Sequence, residues 1–395
     1  MIKDFNTDTW NGNNIIIYGA GDDGKKIAQG LLKMNIGAFY FCDKARAGGE
    51  LLGQKIISPK DLMVDSFANL LIGTGKYCDE VYHFFQTLQI EDDRIFTAVE
   101  LSRVACNEQG LGANDYEGGI KKFFAMLNHD VYLPSLDLVI TECCTLKCKH
   151  CSNLMQYYKK PVNSETTIVL KSFQNLLDIV GFIGSVRILG GEPFVNQPLL
   201  IDILKMYKNE SKIGKFVVVT NGTIIPNKEC LIAMQQNDKV EVVFSNYGND
   251  SLQLAESIGL LKKERIHYLV IHDNNEWLDY GRLKHYEYTV EAYQRLYREC
   301  SSRRYCNTLF KGSFYLCPRA AHGINLGAIP QNQADCVNLL DDAFDIETNK
   351  KKLMKLMQQD EYIKACEFCN WKDGESVPKA IQTPNALEYE KCGIE

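Results

Sequence analysis

The segment LDLVITECCTLKCKHC, residues 136–151, decides the fold of the larger part of the chain. Its first six residues are mostly apolar or β-branched, which predicts a buried strand. Three cysteines follow in the spacing C-x3-C-x2-C: Cys144, Cys148 and Cys151. In parallel α/β folds the functional residues gather at the carboxyl ends of strands. We therefore expect the chemistry of this chain to begin directly after this strand.

Further strands repeat the pattern downstream. The apolar runs are SVRIL (185–189), KFVVVT (215–220), KVEVVF (239–244) and IHYLVI (266–271). Stretches such as VLKSFQNLLDIV (169–180) and PLLIDILKMYK (198–208) predict helices between them. Strands that alternate with helices over about 160 residues predict a full or partial parallel (β/α) barrel similar to a TIM barrel. GGEP (190–193), TNG (220–222) and SNYG (245–248) stand where its strands end.

A second, shorter α/β unit precedes the barrel. NIIIY (14–18), AFYFCD (38–43) and ANLLIGTG (68–75) predict strands, while GKKIAQGLLKM (24–34) and YCDEVYHFFQTL (77–88) predict helices. This order is typical of a parallel sheet with crossover helices, and hence of a Rossmann-like domain.

Glycines fill the turn between the first strand and the first helix of this unit. Gly19, Gly21 and Gly24 form G-x-G-x-x-G, and Asp43 lies about twenty residues further on, which is the context of a dinucleotide-binding loop. Helix N-terminal amides can hold a phosphate, and Asp43 can bind a ribose hydroxyl. The acidic pair at 22–23 opposes a diphosphate and favours a simple role at the helix N-terminus. Nucleotide binding and a docking or structural role both remain open.

Four more cysteines occur as two pairs in the C-terminal part of the chain. Lys311 and Gly312 predict a two-residue hairpin turn, and counting back along this hairpin pairs Cys306 with Cys317. Cys366 and Cys369 form a C-x2-C behind a helical stretch. The spacing alone fits zinc and an iron–sulfur cluster equally well. A further cysteine, Cys336, is a rival ligand, a weak candidate hydrogen-atom donor, or a buried packing residue.

Composition narrows the function classes. The 44 basic and 50 acidic residues give a net charge of −6, which disfavours a general nucleic-acid binder. No apolar run reaches the roughly 18 residues of a membrane span, and the first residues lack the apolar core of a signal peptide. The sequence therefore predicts a cytoplasmic protein. Its 15 cysteines then indicate metal or redox chemistry rather than disulfides.

The cysteine loop followed by GGEP resembles the radical S-adenosylmethionine (radical SAM) superfamily over about residues 136–290. The resemblance implies that the three cysteines hold a 4Fe–4S cluster whose fourth iron binds SAM. Zinc, with His150 as a fourth ligand, is the alternative from spacing alone. Family membership further implies a flavodoxin- or ferredoxin-like electron donor. The residues implied in SAM binding are Gly190, Gly191, Glu192, Pro193, His150, Thr220, Asn221, Ser245 and Asn246.

Two further resemblances concern the flanking regions. The C-terminal cysteines resemble the twitch or SPASM extensions of radical SAM enzymes, which implies one auxiliary 4Fe–4S cluster on Cys306, Cys317, Cys366 and Cys369. The N-terminal unit resembles small Rossmann-like domains attached to polysaccharide-biosynthesis enzymes. The expected domains are a nucleotide- or substrate-binding domain at 1–100, a linker at 101–135, the barrel at 136–299 and the auxiliary-cluster domain at 300–395.

These patterns lead to one expected function and three alternatives. We expect an enzyme that cleaves SAM reductively and abstracts hydrogen from a small or carrier-linked substrate, with a nucleotide-sugar or glycan precursor favoured. Epimerisation, dehydrogenation, elimination and bond formation all remain open as the outcome. The alternatives are a radical SAM maturase of a ribosomally made peptide, a nicotinamide-dependent oxidoreductase with structural zinc, and a non-enzymatic iron–sulfur redox sensor.

Overall fold

A computed structural model gives the fold. It describes residues 15–33, 39–62, 70–73, 95–97, 103–106, 112–115, 131–271, 276–300, 302–371 and 374–389. The chain divides into two units, Met1–Asn128 and His129–Glu395. The helix predicted at 77–88 lies outside the described residues.

Parallel pairing dominates the described part of the first unit. Its elements are β1 (Ile15–Tyr18), α1 (Asp22–Lys33), β2 (Phe39–Cys42), β3 (Glu50–Leu51), β4 (Gln54–Ile57), β5 (Leu70–Gly73), β6 (Ile95–Thr97), β7 (Arg103–Cys106) and β8 (Gly112–Asp115). Six strands form a sheet in the order β3-β4-β2-β1-β5-β6, and all its pairs except β3-β4 are parallel. The predicted strand–helix–strand order at 14–43 is confirmed.

The second unit is built on one open sheet of eight strands. The strands of the whole unit are β9 (Tyr132–Thr141), β10 (Phe182–Gly190), β11 (Ile213–Thr220), β12 (Val240–Ser245), β13 (His267–Ile271), β14 (Glu276–Leu278), β15 (Asn307–Phe310), β16 (Ser313–Tyr315), β17 (Cys336–Asn338) and β18 (Ser376–Pro378). The sheet order is β13-β12-β11-β10-β9-β15-β16-β17, and β14 pairs separately with β18. All five strands predicted for the barrel are present and parallel, but the sheet does not close.

Helices cover one face of this sheet. They are α2 (Thr166–Ile179), α3 (Gln197–Met206), α4 (Lys228–Gln235), α5 (Leu254–Lys263), α6 (Val290–Arg298), α7 (Ser302–Tyr305), α8 (Pro318–Asn325) and α9 (Ile346–Gln358). Val186 and Ile188 of β10 are fully buried in the apolar core beneath them. Successive strand residues point to opposite faces, so Arg187 lies on the other face of the sheet. No helix within the described ranges has both the length and the apolar character needed to cross a membrane.

The predicted hairpin extends the same sheet. Phe310 pairs with Ser313 as expected, and both turn residues have positive φ, 47° at Lys311 and 83° at Gly312, as a type I′ turn requires. Strand β15 also pairs in parallel with β9, a contact that the sequence did not predict. Because Asn307 pairs with Leu136, Cys306 at the start of β15 lies alongside the middle of β9 and not at its carboxyl end, where the C-x3-C-x2-C loop begins.

Candidate metal and cofactor site

The three-cysteine loop leaves the carboxyl end of β9 and is held there by polar contacts. The Thr141 hydroxyl donates to Asn163 Oδ1 at 2.7 Å and accepts from the Cys143 amide at 2.9 Å. The loop ends in a short 3-10 helix, Met155–Tyr157. This turn brings Cys144, Cys148 and Cys151 back over the end of the sheet.

Each of the three sulfur atoms accepts hydrogen bonds from N–H donors. Asn221 Nδ2 lies 3.6 Å from the sulfur of Cys144, and Gln382 Nε2 lies 3.2 Å from that of Cys148. The sulfur of Cys151 accepts from the backbone amides of 153–155. Acceptance from N–H groups is what a metal-bound thiolate needs, because it carries negative charge and has no proton to donate.

Burial governs the protonation of these thiols. It raises the pKa of Cys144 to about 12 and that of Cys148 to about 11, and it also raises the pKa of Cys151. At neutral pH the bare thiols are therefore protonated. A bound metal removes such protons outright, so the site fits a metal and is a poor nucleophile without one.

A single metal ion and a cluster place different demands on the arrangement of their ligands. Thiolates around one zinc ion, with bonds of about 2.3 Å, lie only about 3.8 Å apart. In the described ranges no three Cys, His, Asp or Glu side chains converge closely enough to hold one ion. His150, the alternative zinc ligand, pairs instead with Asp279, with 3.1 Å between Nδ1 and Oδ2. A 4Fe–4S cluster distributes its ligands over separate irons, so it does not require three ligands to converge on one ion.

The two glycines of GGEP let β10 approach this loop. A Cβ atom on Gly190 would lie 2.1 Å from the carbonyl oxygen of Thr141, and one on Gly191 would lie 2.0 Å from that of Cys143. The Gly191 amide donates to Thr141 at 2.9 Å, and the Glu192 amide donates to Cys143 at 2.8 Å. The sequence predicts an approach to a ligand, whereas the structure shows an approach to the cysteine loop itself.

Glu192 connects the ends of two strands. Its carboxylate is fully buried and accepts from Thr220 Oγ1 and the Asn221 amide, both at 2.8 Å, and from the Phe194 amide at 3.1 Å. Burial raises the pKa of Glu192 to about 7, although these donors oppose the shift. One of the two carboxylate oxygens accepts from a single donor, so it has capacity to accept from a bound ammonium group.

Tyr247, which the sequence analysis did not select, lies beside the cysteine loop. Burial raises its pKa, and the thiols of Cys144, Cys148 and Cys151 raise it further. Its ring packs edge-on against Trp277, with 5.5 Å between centroids. By contrast, Asn246 accepts from the Gly248 amide at 2.9 Å and closes its own turn. Tyr247 is part of SNYG, at the end of a predicted strand. Its direction could not be predicted, because side chains alternate between faces only along a strand and not in the loop that follows.

Comparison with known proteins identifies this part of the chain. Residues 138–245 match the family model of the radical SAM superfamily. They form a radical SAM domain. Residues 11–96 match the model of the C2185-like N-terminal domain. No curated protein matches the chain.

Some solved structures show partial similarity. Streptococcus suis SuiB bound to S-adenosylmethionine is 17% identical with a TM-score of 0.30, covering 49% of this chain and 44% of SuiB. The same protein bound to precursor peptide SuiA is 19% identical with a TM-score of 0.28, and the match covers 39% of this chain and 36% of SuiB. anSMEcpe with bound AdoMet is 16% identical with a TM-score of 0.35, and the match covers 60% of this chain and 82% of anSMEcpe. The chain thus spans at most half of SuiB, and the domain assignment rests on the family match.

A second group of thiols lies C-terminal to the radical SAM domain. Cys317 caps α8, where its sulfur accepts from the Ala320 amide at 3.4 Å. Burial raises the pKa of Cys317 to about 12, and Cys300, Cys369 and Cys306 raise it further. Burial also raises the pKa of Cys366 well above its usual value, with Cys317, Cys369 and Cys300 adding to it. Cys300 therefore lies near three of the predicted ligands, Cys317, Cys366 and Cys369.

The remaining predicted cysteines have other surroundings. The main electrostatic neighbours of Cys306 are Arg187 and Asp137, on the face of the sheet opposite the helices. The Cys336 thiol lies 3.8 Å from the carbonyl of Asn332, and its pKa responds to Asp335 rather than to another thiol. Cys300 was missed because its proximity depends on the turn at α7 and on folding of distant segments.

The glycine loop of the first unit is tied to the end of β2. Asp43 accepts from the Ala20 amide at 2.8 Å and from the Ala45 amide at 2.8 Å. A Cβ on Gly24 would lie 1.9 Å from the carbonyl oxygen of Gly19, whereas Gly21 faces open space. Helix α1 begins at Asp22, so the acidic pair lies in its first turn. Close packing explains Gly24, and Gly21 leaves room for a ligand.

Proposed function

We propose that this chain is a radical SAM enzyme that forms a 5′-deoxyadenosyl radical and abstracts hydrogen from a substrate. The observation that carries the proposal is the trio of buried thiols in the radical SAM domain, each of which accepts N–H donors. A reduced 4Fe–4S cluster, when bound, supplies the one electron that splits SAM into methionine and the radical. Transfer of hydrogen to this radical then yields 5′-deoxyadenosine and a substrate radical.

Residues of this chain would position SAM. The Glu192 oxygen with spare capacity would accept from the methionine ammonium, together with backbone groups of Gly190, Gly191 and Pro193. Thr220 and Asn221 fix that carboxylate, and Tyr247, whose ring packs against Trp277, lies near the three thiols. His150, Ser245 and Asn246 remain proposed contacts. Apolar walls around a sulfonium and a primary radical would exclude water.

The face of the sheet opposite the helices would receive the substrate. Two ion pairs lie on it, Arg187 with Asp137 at 2.6 Å and Lys215 with Glu241 at 3.0 Å. In the described part of the chain the Glu241 Oε1 atom is buried and has no partner. A buried carboxylate oxygen of this kind needs a donor, which a sugar hydroxyl or a peptide N–H would supply. This face supports a polar substrate, with a nucleotide-sugar or glycan precursor favoured and a peptide as the alternative.

We further propose one auxiliary 4Fe–4S cluster, as in twitch or SPASM extensions. Cys317, Cys366 and Cys369 would supply three of its ligands. Cys300 is favoured over Cys306 as the fourth, because it influences the pKa of both Cys317 and Cys366, while Cys306 interacts chiefly with Arg187. A flavodoxin- or ferredoxin-like donor would deliver electrons to the clusters. We place the protein in the cytoplasm, because a reducing compartment keeps the ligand thiols reduced.

Iron content and SAM turnover test this function against its rivals. Two clusters require about eight irons per chain in anaerobically purified protein. Dithionite-reduced protein should then convert SAM to 5′-deoxyadenosine. Bound zinc with NADH-dependent turnover would instead support the oxidoreductase, and iron without SAM cleavage would support the redox sensor.

A further inference from the structure

The C-terminal segment 380–389, here called the strap, pairs with the cysteine loop. The Lys149 amide donates to the Ile381 carbonyl at 2.7 Å, and the Thr383 amide donates to the Lys147 carbonyl at 2.8 Å. Cys148 and Gln382 form an antiparallel bridge between these bonds. Further along, the Leu387 amide donates to the Gln156 carbonyl at 2.8 Å. The strap therefore lies along the loop from its second cysteine to its end.

The side chain of Gln382 is fixed at both ends of its amide. Its oxygen accepts from the Lys147 amide at 2.7 Å, and its nitrogen donates to the Ala380 carbonyl at 2.7 Å and to the Cys148 sulfur at 3.2 Å. A backbone N–H can only donate and a carbonyl can only accept. These two partners therefore settle which end of the amide is nitrogen, and the nitrogen faces the sulfur.

We propose that Gln382 is a positioning residue that sets the reduction potential of the cluster held by the cysteine loop. This rests on the proposed function, because it assigns Cys148 as a ligand. Reduction adds negative charge to the cluster and its sulfurs, so an N–H donor stabilises the reduced state more than the oxidised state. Removing the donor should make the cluster harder to reduce.

The donor comes from outside the radical SAM domain. Gln382 is 234 positions from Cys148 along the chain, whereas Asn221, at 3.6 Å from Cys144, lies within residues 138–245. Groups that hydrogen-bond to a metal ligand orient that ligand and tune the metal. The C-terminal strap thus completes the electrostatic environment of a cluster whose ligands belong to another part of the chain.

Anaerobic redox titration of the full-length holoprotein, followed by electron paramagnetic resonance, tests this assignment. The signal that changes when SAM is added reports the catalytic cluster. In Gln382→Leu we expect its reduction to become roughly tenfold less favourable, which is a downward shift of 59 mV for a one-electron couple. Equal midpoint potentials in Gln382→Leu and wild type would overturn the proposal. A wild type without a SAM-sensitive signal would refute the proposed function instead.

A matched control distinguishes the effect of the Gln382 amide on the potential from a general effect of altering the strap. Thr383→Val removes hydroxyl contacts to Lys147 and Asn385 but leaves the Gln382 amide in place, so its potential should equal that of wild type. An equal shift in Thr383→Val would overturn the proposal. If Gln382→Leu loses iron, Gln382→Glu replaces it, because the carboxylate still accepts from Lys147 but sets a negative charge beside the sulfur. Its potential must then fall below wild type, and an unchanged value would overturn the assignment.

Discussion

At the scale of single residues, the site depends on two glycines, which have no side chain, as much as on the residues that carry functional groups. Gly190 and Gly191 let the end of β10 lie against the backbone of Thr141 and Cys143. The same approach places Glu192 beside the cysteine loop, where Thr220 and Asn221 at the end of β11 donate to its carboxylate. GGEP is therefore a packing motif, because its two glycines allow the contact with the cysteine loop.

Gly191→Ala should disturb the site through sterics alone. Its new Cβ would lie 2.0 Å from the Cys143 carbonyl, so the loop must shift, and overpacking of this kind costs about 1–3 kcal/mol. We expect a lower free energy of unfolding in urea and a loss of bound iron. Gly259→Ala is the control, because its Cβ meets nothing within 4 Å on helix α5 and should stabilise by up to about 1 kcal/mol. Normal iron content in Gly191→Ala would contradict this account.

The buried Glu192 predicts a pH dependence of stability in the cluster-free protein. Its folded pKa of about 7 lies above its usual 4.5, so the folded state binds the extra proton between these values. The contribution of Glu192 to stability should therefore fall as pH rises from about 4.5 to about 7 and then level off. Urea unfolding across this range should show a steeper decline in wild type than in Glu192→Gln. Parallel curves for the two proteins would count against a raised pKa.

At the scale of elements, strands and the hairpin could be predicted, but their neighbours could not. β-branched runs identify β9 to β13, and Lys311 with Gly312 identifies the turn, because these signals are local. The pairing of β15 with β9, the approach of Cys300 to Cys317 and the contact of Gln382 with Cys148 join distant segments. Contacts between distant segments leave no local pattern in a single sequence, so they could not be predicted from it.

Alanine variants distinguish the two candidates for the fourth auxiliary ligand. Cys300→Ala should reduce iron from about eight to about four per chain, because a cubane that loses a thiolate ligand becomes labile. Cys306→Ala should retain about eight, because its main neighbours are Arg187 and Asp137. Both variants should still cleave SAM. Iron loss in Cys306→Ala with retention in Cys300→Ala would restore the set predicted from sequence.

At the scale of the whole molecule, the predicted sites divide between the two units. The second unit contains both groups of cysteines, and the first contains the glycine loop. We propose that the first unit binds a nucleotide or nucleotide-sugar, which would deliver a substrate by its nucleotide handle. The parallel order around β1 and the open space at Gly21 support this role.

Gly21→Leu should block that binding without harming the fold. Among the described residues, no atom lies within 4 Å of the added Cβ, which would stand where a phosphate would approach the start of α1. Isothermal titration with a nucleoside diphosphate sugar should show binding to wild type and at least tenfold weaker binding to the variant, at equal unfolding free energy. Absence of binding to wild type would leave the unit a docking or structural role.

Formation of 5′-deoxyadenosine by anaerobic, dithionite-reduced protein tests the central claim most directly. Wild-type protein with its full iron content should release this product from SAM, and the Cys144→Ala, Cys148→Ala, Cys151→Ala triple variant should release none. Chromatography with mass detection measures both. Intact SAM beside iron-loaded, reduced wild type, or product formed by the triple variant, would contradict the assignment of these three cysteines to a radical SAM centre.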